Sequence, residues 1–350
     1  MSGMKPLEVS LAEKRGFVHK ALSAAAVLAI LSILASAGLA AYWYFAPYRG
    51  FRTETFVEIE RGMSSQQISE KLQEQGVVRS RWTFLAIHLL HRRAPLQAGE
   101  YRFGIAQTPW QVFEKIRRGE IFYEEFTVPE GSNMFDIAGL LQSTDTVTAP
   151  AFLKAASDAK SIHDLDSEAP NLEGYLFPST YRVTHKTTAR QLCRMMTDEF
   201  RKQWKALDGE KQSDKIHQIV ILASLVEKES ASPTERPEIA SVFLNRLRLS
   251  MPLQCDPTTV YAALLENRYN GVIHKSDLAS RSLYNTYAHA GLPPGPIANP
   301  GASSLKAALY PADTNYLYFV AKPNAGGTHV FSSTLAEHEK AVLEYRKGSR

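Results

Sequence analysis

The sequence is poor in the residues that mark metal, redox and nucleotide chemistry. It holds two cysteines, Cys193 and Cys255, and they form neither a CxxC pair nor a zinc spacing. They read as ordinary buried thiols; a disulfide between them is open only outside the cytoplasm. HExxH is absent, and His329 and His338 belong to different elements. A phosphate loop and a dinucleotide fingerprint are absent as well. No metal and no cofactor are therefore expected. Excess charge is also scarce. A formal net charge of +4, with no basic stripe interleaved with aromatics, does not point to a nucleic-acid partner. Long apolar runs are missing except for one.

That run, Ala21 to Ala41, carries no charge and has the length needed to cross a bilayer core as a helix. Tyr42, Trp43, Tyr44 and Phe45 follow it as an interfacial aromatic belt. Lys5, Lys14, Arg15 and Lys20 precede it, against Glu8 and Glu13, which favours a cytoplasmic N-terminus; Arg49 and Arg52 pull weakly the other way. The rival reading is a cleaved signal peptide, but the stretch is long for an h-region and bulky aromatics crowd its end. Residues 1–20 thus read as a cytoplasmic tail and 21–45 as a transmembrane helix. The rest is a large exported body with no second span.

Two stretches of that body share a pattern, Val57–Leu72 (VEIERGMSSQQISEKL) and Phe126–Leu141 (FTVPEGSNMFDIAGLL). Each has a β-type residue, then a glycine (Gly62, Gly131), then an isoleucine–leucine pair at helical spacing (Ile68 and Leu72, Ile137 and Leu141). The spacing predicts a short strand, a glycine turn and an amphipathic helix. Ser64 or Ser65 can cap the first helix, Ser132 or Asn133 the second. The pattern resembles the first half of the LysM module, a small βααβ glycan-binding domain; a generic strand–turn–helix unit is the alternative. Leu96–Gly104 reads as a strand, and Thr108–Glu120 as a helix with Pro109 in its first turn and Gly119 at its end.

From about Glu124 helices dominate, near 149–157, 188–207, 214–229, 235–248 and 257–267. The segment Gly291–Gly301 (GLPPGPIANPG) is too rich in Pro and Gly for helix or central strand and reads as a rigid loop. Tyr316–Lys322 and Thr328–Thr334 read as a hairpin joined through PNAGG. The helix ending at Glu229 is apolar all round from Ile219 to Val226, apart from Ser224, so it should be buried on every side. Its last turn carries Glu227 and Glu229, which about 200° of helix rotation separates. They cannot form a dyad. A carboxyl at a helix C-terminus beside apolar surface should be hard to ionise, as a general acid requires. The bland alternative is that both acids face solvent. Downstream, Asn245, Arg246, Gln254, Asp256, Thr258, Tyr261, Tyr284, Asn285 and Tyr287 supply the amides and tyrosines of a carbohydrate cleft. Singly, Arg246 reads as a helix-surface charge, Asp256 as an N-cap and Tyr261 as core.

The order ASLVEKES, SVFLNRL, MPLQCDPTTVY, YNTY, GLPPGPIANPG and YLYFVA with HVFS, preceded by EGYLFPSTY, closely resembles the MltG/YceG family of endolytic murein transglycosylases. The resemblance covers nearly the whole chain after the first twenty residues; Ser179 and Cys255 stand in variable slots. It implies an α+β protein: a single N-terminal transmembrane helix, a LysM-like α/β subdomain over 51–123, and a mainly helical catalytic domain with a small sheet over 124–350. It implies an inner-membrane enzyme with a periplasmic body, acting on peptidoglycan glycan strands, terminating nascent strands and meeting cell-wall synthases. The catalytic acid of lytic transglycosylases precedes Ser or Thr, which selects Glu229 over Glu227. Gln254, Asp256, Tyr284, Asn285, Tyr287, Ser230 and Glu173 are the implied substrate-binding residues. Glu173 has an alternative reading as a structural hydrogen-bonding group. A non-catalytic glycan-binding scaffold and a lysozyme-like hydrolase are the rival functions.

Overall fold

The computed structural model describes residues 6–144, 146–230, 232–322 and 327–348, without the side chains of 6–19, 21 and 40. The first five residues of the expected cytoplasmic tail and most of the PNAGG turn lie outside the described residues. The chain divides into two compact units, Met1–Tyr123 and Glu124–Arg350.

The first unit begins with helix α1, Pro6–Phe45. Its Leu22–Phe45 stretch is long and apolar enough to cross a membrane, and none of its described side chains is buried. Strand β1 (Thr55–Ile59), helices α2 (Ser65–Glu74) and α3 (Arg81–Leu90), strand β2 (Gly99–Phe103) and helix α4 (Pro109–Arg118) follow. β1 and β2 pair antiparallel, with Val57 opposite Tyr101. Ser64, not Ser65, starts α2 through a capping box with Gln67. Thr108 and Gln111 form the same device on α4, with Pro109 at its first position. Gly119 ends α4 in the left-handed conformation, φ 68°, where a side chain would also strike Gln97. Ile68, Leu72, Phe84, Ile87, Tyr101 and Phe113 fill the core between these elements.

In the second unit, strand β3 (Glu124–Thr127) leads into α5 (Met134–Leu141) and α6 (Ala149–Ala156), and Asn133 caps α5. Strand β4 (Thr180–Val183) then pairs antiparallel with β3, Phe126 opposite Tyr181. Sequence reading does not single out β4. It is four residues long, and only Tyr181 and Val183 of it are buried. Helices α7 (Ala189–Ala206), α8 (Ile216–Glu229), α9 (Arg236–Arg248) and α10 (Asp256–Leu265) come next, then the short α11 (Lys275–Leu278) and α12 (Ala302–Leu309). Strands β5 (Tyr318–Ala321) and β6 (His329–Ser332) form the expected hairpin, and α13 (Leu335–Gly348) follows. The expected small sheet is thus two separate two-stranded ribbons.

Helix α8 is the axis of this unit. Every residue from Ile219 to Val226 is buried. The Ser224 hydroxyl donates to the Ile221 carbonyl and accepts from the Ile297 amide at 3.1 Å, which fastens the Gly291–Gly301 loop to the helix. Asn299 fixes the loop's far end. Its side-chain oxygen accepts from the Gly174 and Leu176 amides, and its nitrogen donates to Ser132 and to Glu173. Gly174 at φ +87° has no room for a side chain, because Pro296 and Val220 press on it. The loop is therefore rigid without any regular hydrogen-bond ladder. Cys193 and Cys255 are both buried and free.

Candidate functional site

Helix period decides the fates of the two glutamates at the end of α8. Glu227 turns toward Arg236 (2.9 Å) and the Gly301 amide (2.9 Å). Glu229 turns the other way and lines a cavity of about 250 Å³. α9 contributes Phe243 and Arg246 to its wall. The chain entering α10 contributes Leu253, Gln254, Cys255 and Asp256. Tyr287, Phe319 of β5 and His338 of α13 complete it.

Burial holds the Glu229 carboxyl above the ordinary glutamate range. A hydrogen bond from the Cys255 thiol works against that, the Asp256 charge adds to it, and His329 and Arg246 oppose it. Asp256 sits at the first position of α10, one residue past the N-cap, which is Cys255. Its carboxylate accepts a hydrogen bond from the Tyr287 hydroxyl. Gln254 takes a left-handed φ of 54°, a strained backbone for a non-glycine residue, and its amide is tied to the Thr286 carbonyl. The turn leaves Gln254 and Asp256 exposed on either side of the buried Cys255. The cavity therefore offers one hard-to-ionise carboxyl, an amide, a phenol and a carboxylate, with Phe243 and Phe319 as apolar wall.

The other expected site residues lie elsewhere. Asn285 is fully buried, and its amide nitrogen donates to the Leu278 (3.0 Å) and Ser280 (2.7 Å) carbonyls. Its oxygen accepts from the Tyr287 amide, so it shapes the turn that presents Tyr287. Tyr284 packs its ring on Tyr261, 5.2 Å between centroids, against the core. Ser230 is buried and donates to the Ser232 carbonyl. Glu173 is buried. It accepts from the Met134 amide at 2.9 Å and from Asn299 at 2.8 Å, as its structural reading requires. Arg246, named only within the wider polar cluster, and His338 also line the cavity, and neither is among the expected substrate-binding residues. Arg246 carries a signal: with Asn245 it interrupts an otherwise apolar helix face. His338 comes from the last helix and stacks on Tyr318; nothing local marks it.

Burial raises the Glu173 carboxyl to about 8, against the pull of the Met134 amide. A carboxyl raised on folding contributes stability that is full below its unfolded value, near 4.5, and is lost as pH climbs through about 8. Glu173→Gln is therefore expected to flatten the loss of stability between pH 5 and pH 8.5, a difference on the order of a few kcal/mol. Urea unfolding of both chains across that range measures it. Parallel curves would mean that Glu173 ionises without cost.

A family model described as the YceG-like family matches residues 57–344. Over 312 residues the chain is 34% identical to a Bacillus subtilis (strain 168) protein named endolytic murein transglycosylase, covering 84% of this chain and 85% of that one. A Streptococcus pneumoniae serotype 2 protein of the same name is 28% identical over 319 residues; the match covers 83% of this chain but spans only 58% of the relative's length. Among solved structures, the 2.6 Å crystal structure of a YceG-like protein from Listeria monocytogenes aligns with a TM-score of 0.55 at 32% identity, covering 83% of this chain and 99% of that one.

Proposed function

Because the chain belongs to the YceG-like family, we propose that it is a peptidoglycan lytic transglycosylase, with Glu229 as its catalytic residue. The observation that carries the proposal is the hard-to-ionise Glu229 carboxyl facing a cavity bordered by amide, phenol and aromatic groups. Ordinary glycosidases need two carboxylates, one for acid catalysis and one for base or nucleophile. A lytic transglycosylase needs one. Protonated Glu229 donates to the oxygen of a MurNAc–GlcNAc β-1,4 bond, and that bond breaks with oxocarbenium character at C1. Glu229, now a carboxylate, accepts the proton of the MurNAc C6 hydroxyl as its oxygen closes on C1. The products are a free GlcNAc hydroxyl and a 1,6-anhydro end, and no water is consumed. Gln254, Asp256 and Tyr287 bond the sugar hydroxyls and N-acetyl groups, and Phe243 and Phe319 keep water from C1.

The finer reading places this activity at the inner membrane. The Leu22–Phe45 helix anchors the chain with its N-terminus in the cytoplasm, and the body cuts within strands as they leave their synthases. The β1–α2–α3–β2 order of the first unit supports a LysM-like, glycan-holding role. The test is the mass of the products that the full chain releases from uncrosslinked glycan. Ends lighter by one water than hydrolysed ends are expected. Ends that carry that water would make the protein a lysozyme-like hydrolase. Binding without cleavage would make it a scaffold.

A further inference from the structure

Resting on that reading, we propose that Arg246 is the positioning residue of the site: it locks the Gln254–Asp256 turn against the β5 wall and presents a fixed positive charge to Glu229.

The geometry is that of a clamp. The Arg246 Nε donates to the Leu317 carbonyl at 2.7 Å, next to the start of β5. Its Nη1 donates to the Leu253 carbonyl at 3.0 Å and the Pro252 carbonyl at 3.3 Å, at the entry to Gln254, Cys255 and Asp256. The guanidinium also lies over the Tyr318 ring, 5.2 Å from its centroid. One side chain on α9 thus holds the two chain segments that supply Gln254, Asp256 and Phe319 to the cavity. Its neighbour Asn245 grips the same strand approach through the Thr314 and Tyr316 carbonyls. A lysine cannot copy this, since the planar fork reaches carbonyls on both sides at once and an ammonium does not.

The charge has a second consequence. Glu229 is faced by Cys255 at the N-cap of α10, Asp256 from α10, Tyr287 from the loop, Arg246 from α9, His329 from β6 and His338 from α13. Asp256 disfavours the Glu229 carboxylate; Arg246 and His329 favour it. Arg246 therefore keeps the acid able to give up its proton, against burial that would hold it.

Arg246→Met and Arg246→Lys separate the two roles in the full chain. Without the charge, Glu229 stays protonated to higher pH, so Arg246→Met is expected to move the alkaline limb of kcat/KM upward. Arg246→Lys keeps the limb in place, and both variants lose about 10–100-fold in kcat/KM through the slackened clamp. Where Arg246→Met is too weak to assay, the Glu229 carboxyl is titrated directly by difference infrared spectroscopy, with Glu229→Gln identifying its band. Its midpoint should rise in Arg246→Met. An unmoved midpoint or limb, or an Arg246→Lys chain as active as the parent, overturns the proposal. A parent chain that cleaves no glycan while the infrared midpoint still moves would refute the enzymatic reading and leave the Arg246–Glu229 coupling standing.

Discussion

Glu229→Gln is expected to cut the cleavage of uncrosslinked glycan by about 10³–10⁴-fold, near the upper end of what a positioned acid–base group supplies. The reason is that one group serves twice. The carboxyl gives a proton to the leaving oxygen and then takes one from the C6 hydroxyl, and a carboxamide does neither. Gln preserves the shape, so sacculus binding should persist. The pH dependence carries a matching signature. Only the protonated acid starts the reaction, and burial keeps the Glu229 carboxyl protonated above the ordinary glutamate range. The alkaline limb of kcat/KM should therefore lie above that range. Stability should respond in the opposite sense. A carboxyl raised on folding costs stability as pH rises through its folded value, so Glu229→Gln should match the parent in mild acid and exceed it in mild alkali. An active site that trades stability for function has this form. Unchanged cleavage by Glu229→Gln, or a limb at the ordinary glutamate position, would remove Glu229 from the chemistry.

What could be read from the sequence follows from the range of the forces involved. Local rules set the apolar span, the helix start at Ser64 or Ser65, the Pro109 start and Gly119 end of α4, and the β5–β6 hairpin, because turn chemistry and side-chain period act within a few residues. The separation of Glu227 from Glu229 was legible for the same reason, since it is only helix geometry. The cavity wall was less so. Gln254, Asp256 and Tyr287 were found because they cluster along the chain. Asn285, Tyr284 and Ser230 cluster equally well but spend their polar groups on backbone carbonyls or their rings on Tyr261. Sequence spacing cannot tell a side chain that bonds its own turn from one left free for a sugar. Phe319 and His338 meet Glu229 only through tertiary packing of β5 and α13, so no local pattern announces them.

The role of Glu227 gives the second large effect. Arg236→Met is expected to destabilise the chain by about 3–5 kcal/mol, the usual result of stranding one member of a buried ion pair. The side chains of Arg236 and Glu227 are only 6% and 4% exposed and lie 2.9 Å apart. The second Glu227 oxygen accepts from the Gly301 amide, the residue before α12, and Arg236 also reaches Ser303 of that helix. Without the guanidinium, the carboxylate stays buried with one backbone donor to answer it. Removing both partners should cost much less, because a well-packed apolar pair can replace a buried salt bridge at little loss. Thermal or urea unfolding of Arg236→Met, Glu227→Met and the double variant, taken as a cycle, measures the coupling. Glu227→Gln keeps one acceptor oxygen and turns its NH2 toward the other donor, so it should lose about 1–3 kcal/mol and keep its cleavage activity. The two glutamates are thus separable by opposite outcomes. Glu227 variants should lose stability ahead of activity, and Glu229 variants activity ahead of stability. A Glu227→Gln chain that is as stable as the parent yet inactive would transfer the acid's role to Glu227, and the α8 end would have to turn to deliver it.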